Sequence, residues 1–504
     1  MLKIGWAKRD VSTDKPVIIP GQYYIRFSKG VLDPIMVTAL TVDDGNDSVI
    51  FLQADLVNVN AGVFDTIKEK VSAADPSINT DKIIMNITHT HAGPLVNKGT
   101  VAGGWGEFSE IPHDGIELMP PEEYFEFFTD NAAEAICEAC NSKKDGYISY
   151  GFGYAVTSHN RRAVYFKDMT EDSDDPGLKF IEGSAKMYGR TNIPEFSHLE
   201  TGADHYANFM FTFDADKKLT GAVVNIPCPS QNMELEYYLS SDYWADVRAE
   251  LTARYGDIYV LPQCAAAGDL APRPRYYDKA EERRFRLKYS DLKIEKELVN
   301  PSEVYRRRDI CEQIVNAFDD VYSWAKKELY SDVPVMHSVR QLQLDKRRIT
   351  DEEYEFYKNQ PKYKPKELIC TDDKVYDLKW NSIEIMRRND KNEVVDRYES
   401  QNAEPYFPME MHVVRIGNIA FATNQFELYM DFQHRIQGRS PFEQTFIVQL
   451  CAQPGRRSGT YLATERAAKG RGYSANLFSN KVSPKGGQQL VEATLEELNE
   501  LYGK

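Results

Sequence analysis

The chain lacks several features that would assign it directly to a class of protein. In its 504 residues no window approaches the run of about eighteen apolar residues that a membrane-spanning helix needs. The first residues, MLKIGWAKRDVST, contain no apolar core of a signal peptide. The sequence also contains no GxSxG nucleophile elbow and no dinucleotide or phosphate-binding fingerprint. We therefore expect neither membrane insertion nor export, and neither a serine α/β-hydrolase nor a nucleotide-binding enzyme.

Basic residues and cysteines are also scarce. Lys and Arg number 61 against 77 Asp and Glu, so the net charge is −16, and no basic patch stands out. A nucleic-acid partner and docking to an anionic membrane are thus not expected. The seven cysteines are an odd number without a disulfide-like spacing, which fits a reducing compartment. These observations predict a cytoplasmic protein that acts on a small molecule or an oligosaccharide, and they leave a homo-oligomer open.

Short apolar runs that end abruptly in small and polar residues recur along the chain. These runs are residues 48–57, 82–94, 221–234, 257–272, 418–432 and 445–455. Helical patterns separate several of them, and two hairpins are predicted, with turns at 214–218 and at Gly417-Asn418. The pattern predicts an α/β fold with a mixed β-sheet core and flanking helices. Ligands in such folds bind beyond the carboxyl ends of strands, where this chain places its unusual residues.

Residues 273–400 differ in composition from the rest of the chain, because they are rich in charged residues and show helical periodicity. We expect a single α/β domain over 1–504, with 273–400 as a mainly helical insertion that covers the core and shapes the mouth of a pocket. Asp242 precedes a helical pattern and is predicted to be its N-cap rather than a catalytic group.

The segment NITHTHAGP, residues 86–94, places His89 and His91 one residue apart directly after an apolar run. Residues i and i+2 of a strand point to the same side, so both rings are expected to face one site. Imidazole is a common ligand of Zn²⁺, and this spacing occurs in metal sites. The alternative is a loop whose two histidines form only local hydrogen bonds.

THTHAGP resembles the THTHSGP element of the neutral (alkaline, non-lysosomal) ceramidase family, whose members are zinc amidases. Similar elements follow in the family's order along nearly the whole chain: HNRRAVY (159–165), NIPCPSQ (225–231), AAGDLAP (266–272), TNQFELYMDF (423–432) and TYLATERAAKGRGY (460–473). The resemblance implies a ceramidase-like catalytic domain without the family's C-terminal immunoglobulin-like domain.

The resemblance also implies roles for particular residues. The implied ligands of zinc or another divalent metal are His89, Cys228, Glu427 and Tyr461. The implied catalytic residues are His91, Arg161, Glu427 and Tyr473. Substrate contacts are expected from Arg161, Tyr473 and Trp105, the last in a GGWGEF segment interpreted as a lid or pocket wall.

Two positions depart from the family's pattern. Cys228 stands where the family has its second zinc histidine; thiolate is also a zinc ligand, so a site of His, Cys, Glu and Tyr is chemically reasonable, and the alternative is a small buried hydrophobe. Ala271 stands in place of the proposed nucleophilic serine, and a methyl group cannot attack a carbonyl carbon. Attack by activated water is therefore the expected mechanism.

The function expected from these residues is metal-dependent hydrolysis of an amide, ester or related bond in a small or carbohydrate-containing substrate. One alternative is a carbohydrate-active lyase or glycosidase that uses the His, Tyr, Arg and Glu groups as acid and base. A second alternative is a pseudoenzyme that binds a ligand without turnover.

Overall fold

The computed structural model describes residues 1–111, 113, 115–294, 299–359 and 369–504. In these residues the helices are α1 Val63–Ala74, α2 Pro121–Asn141, α3 Leu178–Ile181, α4 Tyr243–Tyr255, α5 Asp278–Lys288, α6 Pro301–Ala325, α7 Asp351–Asn359, α8 Lys374–Ser400, α9 Met430–Gln437, α10 Glu465–Gly470 and α11 Pro484–Gly503. The strands are β1 Lys3–Asp10, β2 Ile18–Ile19, β3 Arg26–Phe27, β4 Met36–Asp43, β5 Ser48–Ala54, β6 Ile83–Ile87, β7 Lys144–Tyr154, β8 His159–Asn160, β9 Arg162–Tyr165, β10 Ala185–Met187, β11 Phe196–Leu199, β12 Tyr206–Asp214, β13 Leu219–Ile226, β14 Tyr259–Cys264, β15 Leu270–Ala271, β16 Val335–Asp345, β17 Tyr406–Ile416, β18 Ile419–Thr423, β19 Glu427–Leu428, β20 Gln444–Val448 and β21 Tyr461–Leu462.

The largest sheet has eight strands in the order β14-β13-β12-β7-β1-β4-β5-β6. Its two end pairs, β13 with β14 and β5 with β6, are parallel, and the pairs between them are antiparallel. The predicted mixed α/β fold and the hairpin of β12 and β13 are thereby confirmed. Parallel pairing requires crossover helices, which here are α1 and α4.

A second sheet has four strands in the order β16-β17-β18-β20, with β18 and β20 parallel. The segment that follows β20 ties the two ends of the large sheet together. The backbone of Gln449 donates to Cys264 at the end of β14 (3.0 Å), and that of Ala452 donates to Met85 in β6 (2.8 Å). Three of the segments predicted as strands with polar ends, which are β6, β14 and β20 in the structure, therefore finish close to one another, and this positions the site.

In its described residues the stretch 273–400 contains four helices, α5 to α8, but it is not helical throughout. Strand β16 lies inside it and pairs along its whole length with β17, so this part belongs to the second sheet. The alternating side chains of VMHSVRQLQLD fit that position, since a strand of a sheet with one open face alternates in burial. Residues 295–298 and 360–368 of the stretch lie outside the described residues.

None of the helices in the described part of the chain combines the length and the apolar composition that crossing a bilayer requires. The predicted cytoplasmic location stays a prediction.

Candidate active site

His89 and His91 converge, although not through the strand alternation that the sequence suggests. Strand β6 ends at Ile87, and His89 adopts a left-handed backbone conformation with φ 60°, an uncommon one for a residue with a side chain. The two rings then meet edge to face, 4.8 Å between centroids, with 3.3 Å between their Nε2 atoms. The tight turn is therefore what directs both side chains into one site.

Glu427 reaches the same point from the other end of the chain. It lies in β19, whose parallel pairing with β21 places it beside Tyr461. Its Oε2 is 3.5 Å from Nε2 of His89. Gly268 lets the segment before β15 approach β19, because a Cβ there would be 2.3 Å from the carbonyl oxygen of Glu427. Three of the residues implied by the resemblance thus meet in one cluster.

Arg161 connects several residues of the cluster through hydrogen bonds. Its guanidinium donates to Tyr188 Oη (2.6 Å), to Gln231 Oε1 (3.2 Å), to the carbonyl of Gly268 (3.0 Å) and to Tyr461 Oη (3.4 Å). The side chain is buried, and these bonds occupy both of its terminal nitrogens. In this geometry Arg161 therefore holds its neighbours in position, and its expected contact with substrate stays a prediction.

Hydrogen-bond geometry settles which ring nitrogens carry protons. Because arginine only donates, the amide oxygen of Gln231 faces Arg161, and its NH₂ group donates to Nε2 of His91 (3.0 Å). The proton of a neutral His91 then lies on Nδ1. In His89 the proton lies on Nδ1 as well, because that atom is 2.7 Å from the carbonyl oxygen of Val57. Both Nε2 atoms therefore present lone pairs to each other.

Two ring lone pairs and the Glu427 carboxylate, which is 3.8 Å from Arg161, form a set of acceptors facing one another. Such a set is stabilised by a cation, either a proton on His89 or a divalent metal ion. A metal-binding imidazole typically donates its other N–H to a carbonyl group, as His89 does to Val57.

The electrostatic surroundings favour one protonation state of the cluster. Burial lowers the pKa of His91 well below its ordinary value, and the neighbouring His89 adds to this. Burial acts to raise the pKa of Glu427, but His89, Arg161 and the hydrogen bond from Tyr461 outweigh it and hold the pKa below its ordinary value. At neutral pH the site therefore contains a neutral His91 and an ionised Glu427.

Three tyrosines surround an open recess above this cluster. Tyr23, Tyr188 and Tyr473 are 42%, 37% and 36% exposed, although each contacts a group close to the cluster. The ring of Tyr473 meets Tyr461 edge on (5.5 Å between centroids), and Tyr23 meets Tyr473 in the same way (6.0 Å). Partly exposed rings beside buried polar groups mark the side of the cluster that faces solvent, and the expected contact of Tyr473 with substrate stays a prediction.

Trp105 lies behind the tyrosines that line the recess and does not itself line it. It is only 5% exposed and packs with Ile25 and Leu95, while its Nε1 donates to the carbonyl of Tyr23 (3.4 Å). In this geometry Trp105 therefore influences a substrate through the segment that carries Tyr23, which it supports. The backbone of Tyr473 is held in turn by the buried Arg162, which donates to its carbonyl (3.0 Å).

Cys228 does not join the cluster. Its sulfur lies 3.1 Å from the carbonyl oxygen of Thr157, and the residue is buried in the apolar cluster between the large sheet and helices α4 and α6. Burial, and then the neighbouring Cys264, raise the pKa of the Cys228 thiol well above its ordinary value. These contacts give the expected Cys228 ligand no support and favour the interpretation as a small buried hydrophobe.

In the described residues no group of three or more His, Cys, Asp and Glu side chains is arranged to hold a metal ion. His89 and Glu427 supply two such donors, and the phenol of Tyr461, which β21 places beside Glu427, is the further ligand that the resemblance implies. Three protein ligands and an open position are the usual composition of a catalytic zinc site. This donor set matches that composition in number, and the expected metal stays a prediction.

Replacing Cys228 by serine tests its placement. Because the hydroxyl group can still donate to Thr157, we expect the free energy of unfolding to fall by about 1 kcal/mol. Metal content and kcat are expected to stay unchanged, because the sulfur is no ligand in this geometry. Chemical denaturation, metal analysis and turnover measure the three quantities. Loss of metal with an intact fold would restore Cys228 as a ligand.

Several residues of the site carry no signal in the sequence. Gln231 lies in the NIPCPSQ element, but the resemblance implies no role for it. Tyr23 and Tyr188 lie in segments without a recognisable pattern. Gln231 is positioned by its loop, which Asp242 holds by accepting from the backbone of Met233 (2.8 Å). Asp242 also caps α4, as predicted.

Comparisons with known proteins support the fold. No family model matches the chain, and no curated protein matches it. Among solved structures the chain is similar to the neutral ceramidase from Pseudomonas aeruginosa, with a TM-score of 0.64, 14% identity and coverage of 99% of this chain and 74% of that chain. It is also similar to a ceramidase complexed with C2, with a TM-score of 0.63, 13% identity and coverage of 100% and 75%. The chain therefore has a ceramidase-like fold, and this likeness shows the fold alone.

Proposed function

We propose that the chain is a metal-dependent hydrolase that cleaves an amide, ester or related bond of a small or carbohydrate-containing substrate by means of activated water. The observation that supports it best is the meeting of His89, Glu427 and Tyr461, from both ends of the chain, below an open recess. The solved structures of similar fold are ceramidases, which are hydrolases, and this favours the same reaction class.

Zinc, or another divalent metal, would be held by His89 Nε2, Glu427 Oε2 and Tyr461 Oη. When bound, it acts as a Lewis acid for the substrate's carbonyl oxygen and for the attacking water. Burial, and then the Glu427 charge, raise the pKa of Tyr461 well above its ordinary value, so the phenol keeps its proton until a nearby cation counteracts them.

The other groups of the cluster bind and orient the substrate and the attacking water. His91 is neutral, and its Nδ1 points towards the Glu234 carboxylate, 3.9 Å away, so that Glu234 stabilises a proton gained by the ring. His91 can take a proton from water at Nε2, and return it to the leaving group, only when the Gln231 amide that donates to this nitrogen (3.0 Å) moves away. The bond between carbonyl carbon and leaving group breaks as the bond to the water oxygen forms.

A panel of chromogenic N-acyl, O-acyl and glycosyl substrates tests the reaction class, together with metal analysis of protein purified without a histidine tag. We expect about one zinc or similar ion per chain and turnover of an acyl substrate. The His89→Ala variant is expected to lose both, because it removes the ligand that Val57 orients.

The matched control is His198→Ala, which removes an exposed imidazole from β11 and should change neither quantity. Metal-free wild-type protein that turns over a substrate normally would refute the metal dependence. A product with the ultraviolet absorbance of an unsaturated uronate would instead identify a lyase.

A further inference from the structure

Helix α8 of the stretch 273–400 is attached to the segments that form the recess. Asn389 donates to the carbonyl of Gly104 (2.7 Å), next to Trp105. Near the start of the helix, Ser382 accepts from the backbone of Ile25 (3.1 Å), two residues after Tyr23. The helix therefore lies along the entrance of the site and its position is fixed by these hydrogen bonds.

At its far end the same helix holds the segment that follows Tyr473. Arg397 donates to the carbonyl groups of Leu477 (2.6 Å) and Asn480 (2.9 Å). Helix α8 thus holds both walls of the recess in place. One wall carries Tyr23 and the other carries Tyr473.

Asp390 is placed on the face of α8 that is turned to the recess. It lies four residues after Met386, whose sulfur packs against Gly104, and such residues share one side of a helix. Its side chain is half-buried, and its carboxylate lies near enough to Tyr23 to add to the rise in the pKa of that phenol, which burial causes first. Lys481 is nearby but is already paired with Glu393 (2.6 Å), and within the described residues Asp390 forms no hydrogen bond or ion pair.

Arg457 lies in a segment next to the cluster, because the backbone N–H of the following residue, Ser458, donates to the carbonyl of Val59 (2.9 Å), two residues after the Val57 that binds His89. Its side chain is exposed, and Glu427, Tyr473 and Asp390 are among the charged and polar groups near it. In the described part of the chain the guanidinium of Arg457 forms no hydrogen bond and no ion pair.

We propose that Asp390 and Arg457 bind the hydroxyl groups of a sugar substrate, which makes the site selective for a carbohydrate amide or ester over a lipid. This inference rests on the proposed function, because it takes the recess to be the entrance of the reaction site. A sugar hydroxyl donates to a carboxylate and accepts from a guanidinium at the same time. The neighbouring rings of Tyr23 and Tyr473 offer faces to the C–H surface of the sugar ring and hydroxyls to its rim.

A lipid chain fits these walls poorly. It would leave the Asp390 carboxylate and the Arg457 guanidinium without partners in a closed complex, and burying unpaired charge is costly. The sequence alone does not indicate this role of Asp390, because it is one of many acidic residues in a charged helix.

Binding of two acetamides of opposite polarity, N-acetylglucosamine and N-hexylacetamide, to the full chain tests the proposal. Saturation-transfer NMR titrations give a dissociation constant that does not depend on turnover. We expect N-acetylglucosamine to bind the wild type, and Asp390→Asn and Arg457→Gln each to weaken it about tenfold or more. Binding of N-hexylacetamide, weak in all cases, should not change. The control Asp396→Asn makes the same substitution at an exposed position of α8 and should bind as the wild type does.

Dependence on pH supplies a second readout that a structural role would not change. Burial, and then Glu393, raise the pKa of Asp390 to about 6, while Lys481 and Arg457 act in the opposite direction. N-acetylglucosamine should therefore bind more weakly at pH 5, where the carboxyl is protonated, than at pH 7.5. Asp390→Asn should abolish that difference, with circular dichroism confirming that the variant is folded.

The outcomes separate this inference from the proposed function. Wild-type protein that binds the sugar through Asp390 but releases acetate from neither probe, nor from the chromogenic panel, would refute the hydrolase and leave the inference standing. Hydrolysis with no sugar binding, or with equal affinity in Asp390→Asn and wild type, would overturn the inference and leave the hydrolase. Preference for N-hexylacetamide would point to an apolar substrate and would also overturn it.

Discussion

The Glu427→Gln variant is expected to lose at least about a thousandfold in kcat while it stays folded. The substitution keeps the shape of the side chain but removes the charge that faces His89 Nε2 (3.5 Å) and that the buried Arg161 compensates (3.8 Å). An amide is also a poor ligand for zinc, so bound metal should be lost together with activity. Initial rates on the best substrate of the panel, and metal analysis of the same preparation, measure both effects.

The matched control is Glu465→Gln, an exposed glutamate in α10, only four residues after Tyr461. It should leave rate and metal content unchanged. If Glu427→Gln kept wild-type turnover, the cluster would not be the reaction site, whatever the chain binds there.

Replacing Arg161 by methionine should reduce stability and activity together. The guanidinium is buried and joins Tyr188, Gln231 and Tyr461, and its removal leaves the Glu427 carboxylate without its compensating charge. Removing one partner of a buried charge pair costs about 3 kcal/mol or more of the free energy of unfolding. The displaced phenol and amide groups should lower kcat/KM by about a hundredfold.

Arg161→Lys separates the two contributions. Lysine keeps the charge but cannot form the fork of hydrogen bonds, so we expect most of the stability to return while kcat/KM stays low. Arg466→Met is the control: it breaks an exposed ion pair with Asp431 and should cost no more than about 1 kcal/mol. Chemical denaturation and steady-state kinetics measure these effects. A full recovery of kcat/KM in Arg161→Lys would show that charge alone matters at this position.

Much of the fold could be predicted because local patterns carry it. The apolar runs at 48–57, 82–94 and 221–234 are strands β5, β6 and β13 in the structure, and the turn at Gly417 joins β17 to β18. Strand periodicity and turn residues act over a few neighbours, so the sequence displays them directly. Strand β16 escaped prediction because it lies in a stretch of charged helices and its pairing partner is about 70 residues away.

The sequence motifs predicted which residues lie together, whereas packing decides what each side chain contacts. His89, His91, Glu427 and Tyr461 come together, as the ordered motifs suggested. Cys228 occupies a ligand's place in the sequence, but its sulfur faces the carbonyl of Thr157 in the core. A motif specifies a position along the backbone, whereas the direction of a side chain depends on the elements that pack around it.

The amino-acid sequence by itself determined the mixed α/β class, the methyl group of Ala271 in the AAGDLAP element, and the group of His, Glu and Tyr residues able to do chemistry. Only the tertiary structure decided which groups share a site. The left-handed turn at His89, the partly exposed tyrosines, and the positions of Asp390 on α8 and of Arg457 beside the cluster arise from segments far apart in the chain. The physical reason is that hydrogen bonding and burial act over a few ångströms in space, and distance along the chain does not reveal them.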